Sequence, residues 1–285
     1  MSHRPGNRAV PFLLSLPALV FLALLFVLPV GSLIVLGFFP PKNGAPGPFS
    51  LSLYRDFFAE PYTLKMLWTT FKLSLITTLI SLMLGFPVAL YLRQISPRWR
   101  ALLAFVLISP LLTSVVVRTL AWVILLGPKG IINDALAWIG FGPVALIYNE
   151  TGVVIGLVHV FFGYMTLSLM TSVLKIDDNL LLAASNLGAN RWQILWRIVI
   201  PLSLPGMLSG SILVFTLSAS TYATPVLLGG SSTKMLAMEV YDLAIHYLEW
   251  GEAAVVATVL FLMVAIAVVT GARIAEGGKR KAIFQ

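Results

Sequence analysis

The chain has no cysteine, which removes disulfides, thiolate metal sites and cysteine nucleophiles from consideration. Charge is also scarce. Only 11% of the residues are Asp, Glu, Lys or Arg, while 59% are hydrophobic and mean hydropathy is +0.95. A soluble domain of 285 residues could not bury that much apolar surface, so the protein is a polytopic membrane protein. Acids are the rarer sign, 11 against 19 Lys and Arg. None lies inside an apolar run; Asp177 and Glu252 sit at the edges. A carrier driven by protons or sodium ordinarily needs an intramembrane carboxylate or an unwound ion site, so a secondary transporter or channel acting alone is disfavoured, an ion site of carbonyls excepted. Enzyme signatures are missing too: no Gly-x-Ser-x-Gly, no His-Glu-x-x-His and no phosphate-cradling Gly-x4-Gly-Lys-Ser/Thr, and His159 is the one histidine of an apolar run. If ATP drives this protein, another chain hydrolyses it. The net charge of +8 and pI near 9.9 do not imply nucleic acid, because the basic residues flank apolar runs instead of clustering on one face.

What is present is long apolar segments. Six spans are expected, over about 12–39, 66–92, 101–126, 151–174, 204–228 and 253–272, each long enough to cross roughly 30 Å of hydrocarbon. The fold class is all-α, one transmembrane domain over 1–285. Arg4 and Arg8 precede the first run, which is too long for a cleaved signal and reads as a retained span. Pro17 and Pro29 within it are tolerable where neighbours satisfy the freed carbonyls. Residues 40–61 form an extramembrane loop, and Arg93, Arg98 and Arg100 surround a turn at Pro97. Gly127-Pro128-Lys129-Gly130 marks another turn before 131–139, which at nine residues is a surface or re-entrant helix. The bias of Lys and Arg places both termini and the 175–203 loop in the cytoplasm.

That loop is the most patterned polar segment. Asp177, Asp178 and Asn179 are N-cap candidates for a short helix through Leu182, Ala183 and Ala184, and Gly188 is its natural stop. A second helix begins near Asn190, with Trp192, Leu195, Trp196 and Val199 spaced to share one face while Arg191, Gln193 and Arg197 lie off it. Pro201 is expected to end it. Ala183, Ala184 and Gly188 have almost no side chain, so another protein could approach the backbone closely.

The spacing Ala-Ala-x3-Gly-x9-Ile-x-Ile-Pro, carried by Ala183, Ala184, Gly188, Ile198, Ile200 and Pro201, resembles the EAA loop of permeases in bacterial ATP-binding-cassette importers, which have the MetI-like fold. Leu182 stands where that family usually has Glu, and Ile200 where it has Leu. LPALVFLALLFVLPV, TSVVVRTLAWVILLGPKGIIN (113–133) and TPVLLGG (224–230) look like the spermidine/putrescine type, specifically the first of its two permeases. The resemblance implies a non-enzymatic subunit in a bacterial inner membrane. Its partners would be a second permease, two cytoplasmic ATPase subunits, an external solute-binding protein and membrane lipid, with no nucleic acid. No cofactor would be bound by this chain; ATP and Mg would sit on the ATPase. Coupling would fall to Ala183, Ala184, Gly188, Arg191, Trp192 and Pro201. The solute would be a polyamine or related amine; opines, aminophosphonates and ferric iron belong to the same branch.

Arg118 costs roughly 2.5 kcal/mol or more at mid-span, so it should face protein, water or a partner. Trp122, Tyr164, Thr221 and Tyr222 are further pathway candidates, since aromatic faces attract amines. His159 is expected to hydrogen-bond between helices, and Asp242, Glu249 and Glu252 to lie near the outer face.

Overall fold

The computed structural model describes residues 9–42, 45–142, 144–230 and 233–283. Apart from turns they are helical, with a single antiparallel pair of two-residue strands, β1 (Pro41–Lys42) and β2 (Ala45–Pro46), in the loop expected over 40–61. Contacts divide the chain into two units, Met1–Glu60 with Val240–Thr258, and Pro61–Glu239 with Val259–Gln285.

In the first unit, α1 (Ala9–Leu22), a π-helical turn Ala23–Val27 and α2 (Leu28–Leu36) form one apolar rod, followed by α3 (Ser52–Ala59). Phe38 stacks on Phe49 at 5.5 Å and meets Tyr54 at 4.8 Å, which folds the loop back on itself. His246 pairs with Asp242 at 3.2 Å, on a second π turn that ends at Leu248 in a left-handed conformation.

The second unit holds α4 (Pro61–Gln94), α5 (Pro97–Ile108), a 3₁₀ turn Ser109–Leu112, α6 (Val115–Leu126), α7 (Ile131–Trp138) and α8 (Glu150–Val173). The chain continues through α9 (Asp178–Asn186), α10 (Arg191–Ile194), a π turn Leu195–Val199, α11 (Ile200–Ala219) and α12 (Ala223–Leu228). After it come α13 (Leu236–Tyr241) and α14 (Trp250–Ile283).

Three long helices, α4, α8 and α11, make the core of this unit. In lipid the hydrophobic effect does not draw helices together, so small residues that let backbones approach must do so. On α4 the buried stripe is Thr70, Ser74, Thr77, Thr78, Ser81 and Gly85. Thr70, Ser74 and Thr78 donate to the carbonyls of Met66, Thr70 and Ser74, at 2.8, 2.7 and 2.7 Å, and so carry their own satisfaction into the apolar interior. The facing helices supply glycine where contact is closest: a Cβ on Gly163 would lie 2.2 Å from the Leu107 carbonyl oxygen, and one on Gly206 would lie 2.5 Å from Ser172 Oγ.

Among the described residues six helices are long and apolar enough to cross a membrane: Leu16–Leu36, Pro61–Gln94, Val115–Trp138, Glu150–Val173, Arg191–Ala219 and Trp250–Ile274. The expected second, fourth and sixth spans lie within or beside their helices. At 34 residues α4 is about 50 Å long, more than the hydrocarbon requires. Its Lys72 pairs with Glu150 at the start of α8 at 2.6 Å.

Two expectations need correction. The run 101–126 is not one helix, because the Ser109–Leu112 turn containing Pro110 and an extended Thr113 (φ −93, ψ 150) separate α5 from α6. Proline has no N–H to continue the ladder. Nor does Pro201 end a helix. It sits in the first turn of α11, and the turn before it widens so that the Ile200 N–H bonds to the Leu195 carbonyl, five residues back. Pro29 is handled identically: the Leu28 N–H bonds to the Ala23 carbonyl. The wider turn supplies the room that the proline ring denies an α-helix. The fifth span therefore runs through 191–219, and the chain leaves the helix before α12; it is not continuous over 204–228.

Candidate functional site

The residues singled out by sequence fall in two places. The first is the 175–203 segment. Asp177 caps α9 by accepting the Asn179 N–H at 2.9 Å. At the other end Gly188 has φ +87, the Gly188 N–H bonds to Ser185 O at 2.9 Å, and the Ala189 N–H bonds to Ala184 O at 3.0 Å. Those paired bonds satisfy carbonyls that a helix end leaves open, and the left-handed residue between them favours glycine. Asn190 and Gln193 then form a reciprocal capping box, each side chain bonding the other's N–H at 2.8 Å. The turn between α9 and α10 is thus shaped by bonds between near neighbours.

Its surface is open. Ala183, Gly188, Arg191 and Pro201 are exposed and Ala184 is half-buried. Leu182, Leu187 and Trp192 are 60%, 88% and 69% exposed, an apolar display on a segment that is otherwise polar. A shallow cavity of about 300 Å³ lies between the turn and α10, lined by Leu187, Gly188, Gln193, Ile194, Arg197 and neighbours. The expected stripe of Trp192, Leu195, Trp196 and Val199 does not form. The π turn shifts the phase, so Val199 is buried and Ile194, Leu195 and Ile198 are half-buried, while both tryptophans face outward.

The second place is a cavity of about 300 Å³ where two helices break. Leu111, Val115 and Arg118 reach it from the break between α5 and α6, Leu217, Thr221 and Thr224 from the break between α11 and α12, and Leu157, Val160, Phe161 and Tyr164 from the unbroken α8. Interrupted helices at membrane depth are tolerated where they line such a space. Arg118, Tyr164 and Thr221 thus come together. Among the described residues Arg118 has no acidic partner, and its Nη1 donates to the Pro110 carbonyl at the break, which also accepts the Thr113 hydroxyl at 2.8 Å. Trp122 and Tyr222 do not line the cavity but pack on the core beside it. Trp122 Nε1 donates to His159 Nδ1 at 3.1 Å, with the rings edge to face at 5.3 Å, which is the inter-helix bond expected of His159. Sequence reading missed Leu111, Val160, Phe161 and Thr224. They look like ordinary span residues, and only the Ser109-Pro110 and Ser220-Thr221 pairs hint at the breaks beside them.

Spanning helices around a space lined by broken segments, with an open, tightly capped loop on the same unit, are the architecture of a membrane transport subunit. Comparison with known proteins makes this particular. Residues 75–273 match the family described as binding-protein-dependent transport system inner membrane component. The chain belongs to that family. It is 32% identical over 225 residues, 77% of this chain and 78% of the other, to the spermidine/putrescine transport system permease protein PotB of Haemophilus influenzae. Two solved structures share the fold at low identity: a bacterial ABC transporter involved in the import of the acidic polysaccharide alginate (TM-score 0.76, 18% identical, covering 93% of this chain and 94% of that one), and the same kind of transporter in complex with an alginate pentasaccharide-bound periplasmic protein (0.74, 17%, 91% and 91%). The protein is an all-α, multi-pass permease subunit of an ATP-binding-cassette importer of the inner membrane, and ATP hydrolysis belongs to a separate subunit.

Proposed function

We propose that this chain forms half of the pathway of an importer for polyamines of the spermidine/putrescine type, or a closely related amine. It sits beside a second permease subunit, receives solute from an external binding protein, and is driven by two cytoplasmic ATPase subunits, one of which docks on 175–203. Both termini and that loop are then cytoplasmic, in line with the basic residues that flank them. The observation that carries the solute assignment is the 32% identity to a spermidine/putrescine permease. The cavity chemistry is compatible with it. Tyr164 offers an aromatic face to an amine, while the fixed charge of Arg118, engaged with Pro110, prevents a cation from settling there, and a pathway must release what it admits.

Docking is supported by the capped shape of the segment and by its exposed apolar residues. The decisive experiment expresses the whole importer and measures labelled putrescine uptake, ATPase co-purification and membrane abundance for the native chain and Ala184→Arg. Native uptake should be competed by spermidine and not by opines, aminophosphonates or ferric iron. Ala184→Arg should insert at normal abundance yet lose both the ATPase and uptake. Normal uptake in that variant would remove the docking role, and competition by a phosphonate would reassign the solute.

A further inference from the structure

We infer that Arg93 is a positioning residue that ties the docking helix α9 to the end of the long helix α4, so that α9, α8 and α4 move as one body when the ATPase moves. The inference rests on the reading of 175–203 as the docking segment. Most of α9 has no support of its own: Leu180, Leu182, Ala183, Ser185 and Asn186 are all exposed. It is joined to α8 only through the short connection 174–177, which the buried Ile176 holds against the bundle.

A second connection comes from a different helix. Arg93, in the last turn of α4, has a side chain only 16% exposed, and its Nη2 donates at 2.8 Å to the Ile176 carbonyl and at 2.6 Å to Asp178 Oδ1. One guanidinium therefore grips both the joint that precedes α9 and the first residue of the helix itself. Both bonds are charge-assisted, and the planar fork fixes direction as well as distance. The base of this strut is held in turn. Arg100 Nε donates to the Leu92 carbonyl at 2.8 Å, and its Nη2 to the carbonyls of Arg93 and Ile95 at 3.1 Å each, which closes the open end of α4.

Asp178 is 85% exposed, and an ion pair so open to water adds little to folding stability. Its use is geometric. Without Arg93, α9 could swing about the 174–177 connection while α4 stayed still, and a push from the ATPase would be absorbed at that joint. With Arg93 in place, the push reaches α4, which packs on both α8 and α11.

The absence of cysteine allows a clean test. Spin labels at Gln94→Cys on α4 and Asn186→Cys on α9, both exposed, report the distance between the helices in the assembled importer, with and without ATP and vanadate. The native pair should give one narrow distance that nucleotide leaves unchanged. Arg93→Ala should give a broad distribution that shifts when nucleotide is added, with the ATPase still bound. An Arg93→Ala distribution identical to the native one in both conditions would overturn the proposal. Should Arg93→Ala lower abundance, Asp178→Ala carries the same test: a smaller broadening, because the Ile176 bond remains, supports the tether, and none overturns it. Failure of the docking reading would show separately, as an Ala184→Arg importer that keeps its ATPase.

Discussion

The segment 175–203, proposed to dock the ATPase, and the cavity proposed as part of the pathway are built in opposite ways. Every bond that shapes the turn between α9 and α10 joins residues no more than five apart, from the Ala184–Ala189 pair to the Asn190–Gln193 box. The cavity draws Arg118, Tyr164 and Thr221 from three elements that are distant in sequence, and nothing local holds them together. A surface that must bind a partner can thus keep its shape while the bundle behind it moves, whereas the cavity changes shape whenever α8 shifts against the two broken helices. Under the proposed roles that division is useful to an importer: the coupling part stays rigid and the pathway deforms.

Substitutions that damage one region and spare the other put this contrast to the test. The largest effect is expected at Gly163. Leucine there would drive a Cβ into the Leu107 backbone carbonyl, which cannot rotate away, at a cost of about 3 kcal/mol, the upper end of overpacking. Gly163→Leu should lower the unfolding temperature in detergent and lose cavity and transport together. Gly188→Val is expected to be milder and confined. No atom lies within 4 Å of where a Cβ would sit, so the main cost is the left-handed backbone, about 1–2 kcal/mol. Thermal stability of the bundle should hold while ATPase co-purification falls; a global loss of stability would show that the turn is not an independent piece.

How far these features could be read from sequence follows the same division. Gly188, Asp177 and Asn190 were legible because a cap or a helix start is a rule about neighbours, and α8 (Glu150–Val173) was legible as the apolar run over 151–174. Arg118 stood out by its cost in a membrane. Its companions Val160, Phe161 and Thr224 carried no signal, since what places them is the close approach of other helices. Pro201 was misread for a different reason: a proline predicts that one hydrogen bond is missing, not whether the preceding turn widens to accept it. Arg93 likewise looked like part of a basic turn, because Asp178, its partner, is 85 residues away.

The smallest prediction sharpens the comparison inside the bundle. The Trp122–His159 bond joins α6 to α8 beside the cavity, and a double-mutant cycle with Trp122→Phe and His159→Leu should give a coupling of about 0.6 kcal/mol, the usual size for such bonds in lipid. A value near zero would mean that the two rings merely touch.

The widened turn at Leu195–Val199 has a consequence for how related genes should be compared. Deleting a single codon there would leave the hydropathy profile almost untouched and the span still long enough to insert. It would also rotate everything upstream by about 100° about the helix axis and return the Pro201 ring to a conflict with the carbonyl four residues before it. Such a protein would reach the membrane in normal amount and, if the proposed docking holds, present the wrong side of its loop to the ATPase. In this stretch of the gene, then, residue count carries information that composition does not, and an alignment gap of one deserves more weight than several apolar exchanges.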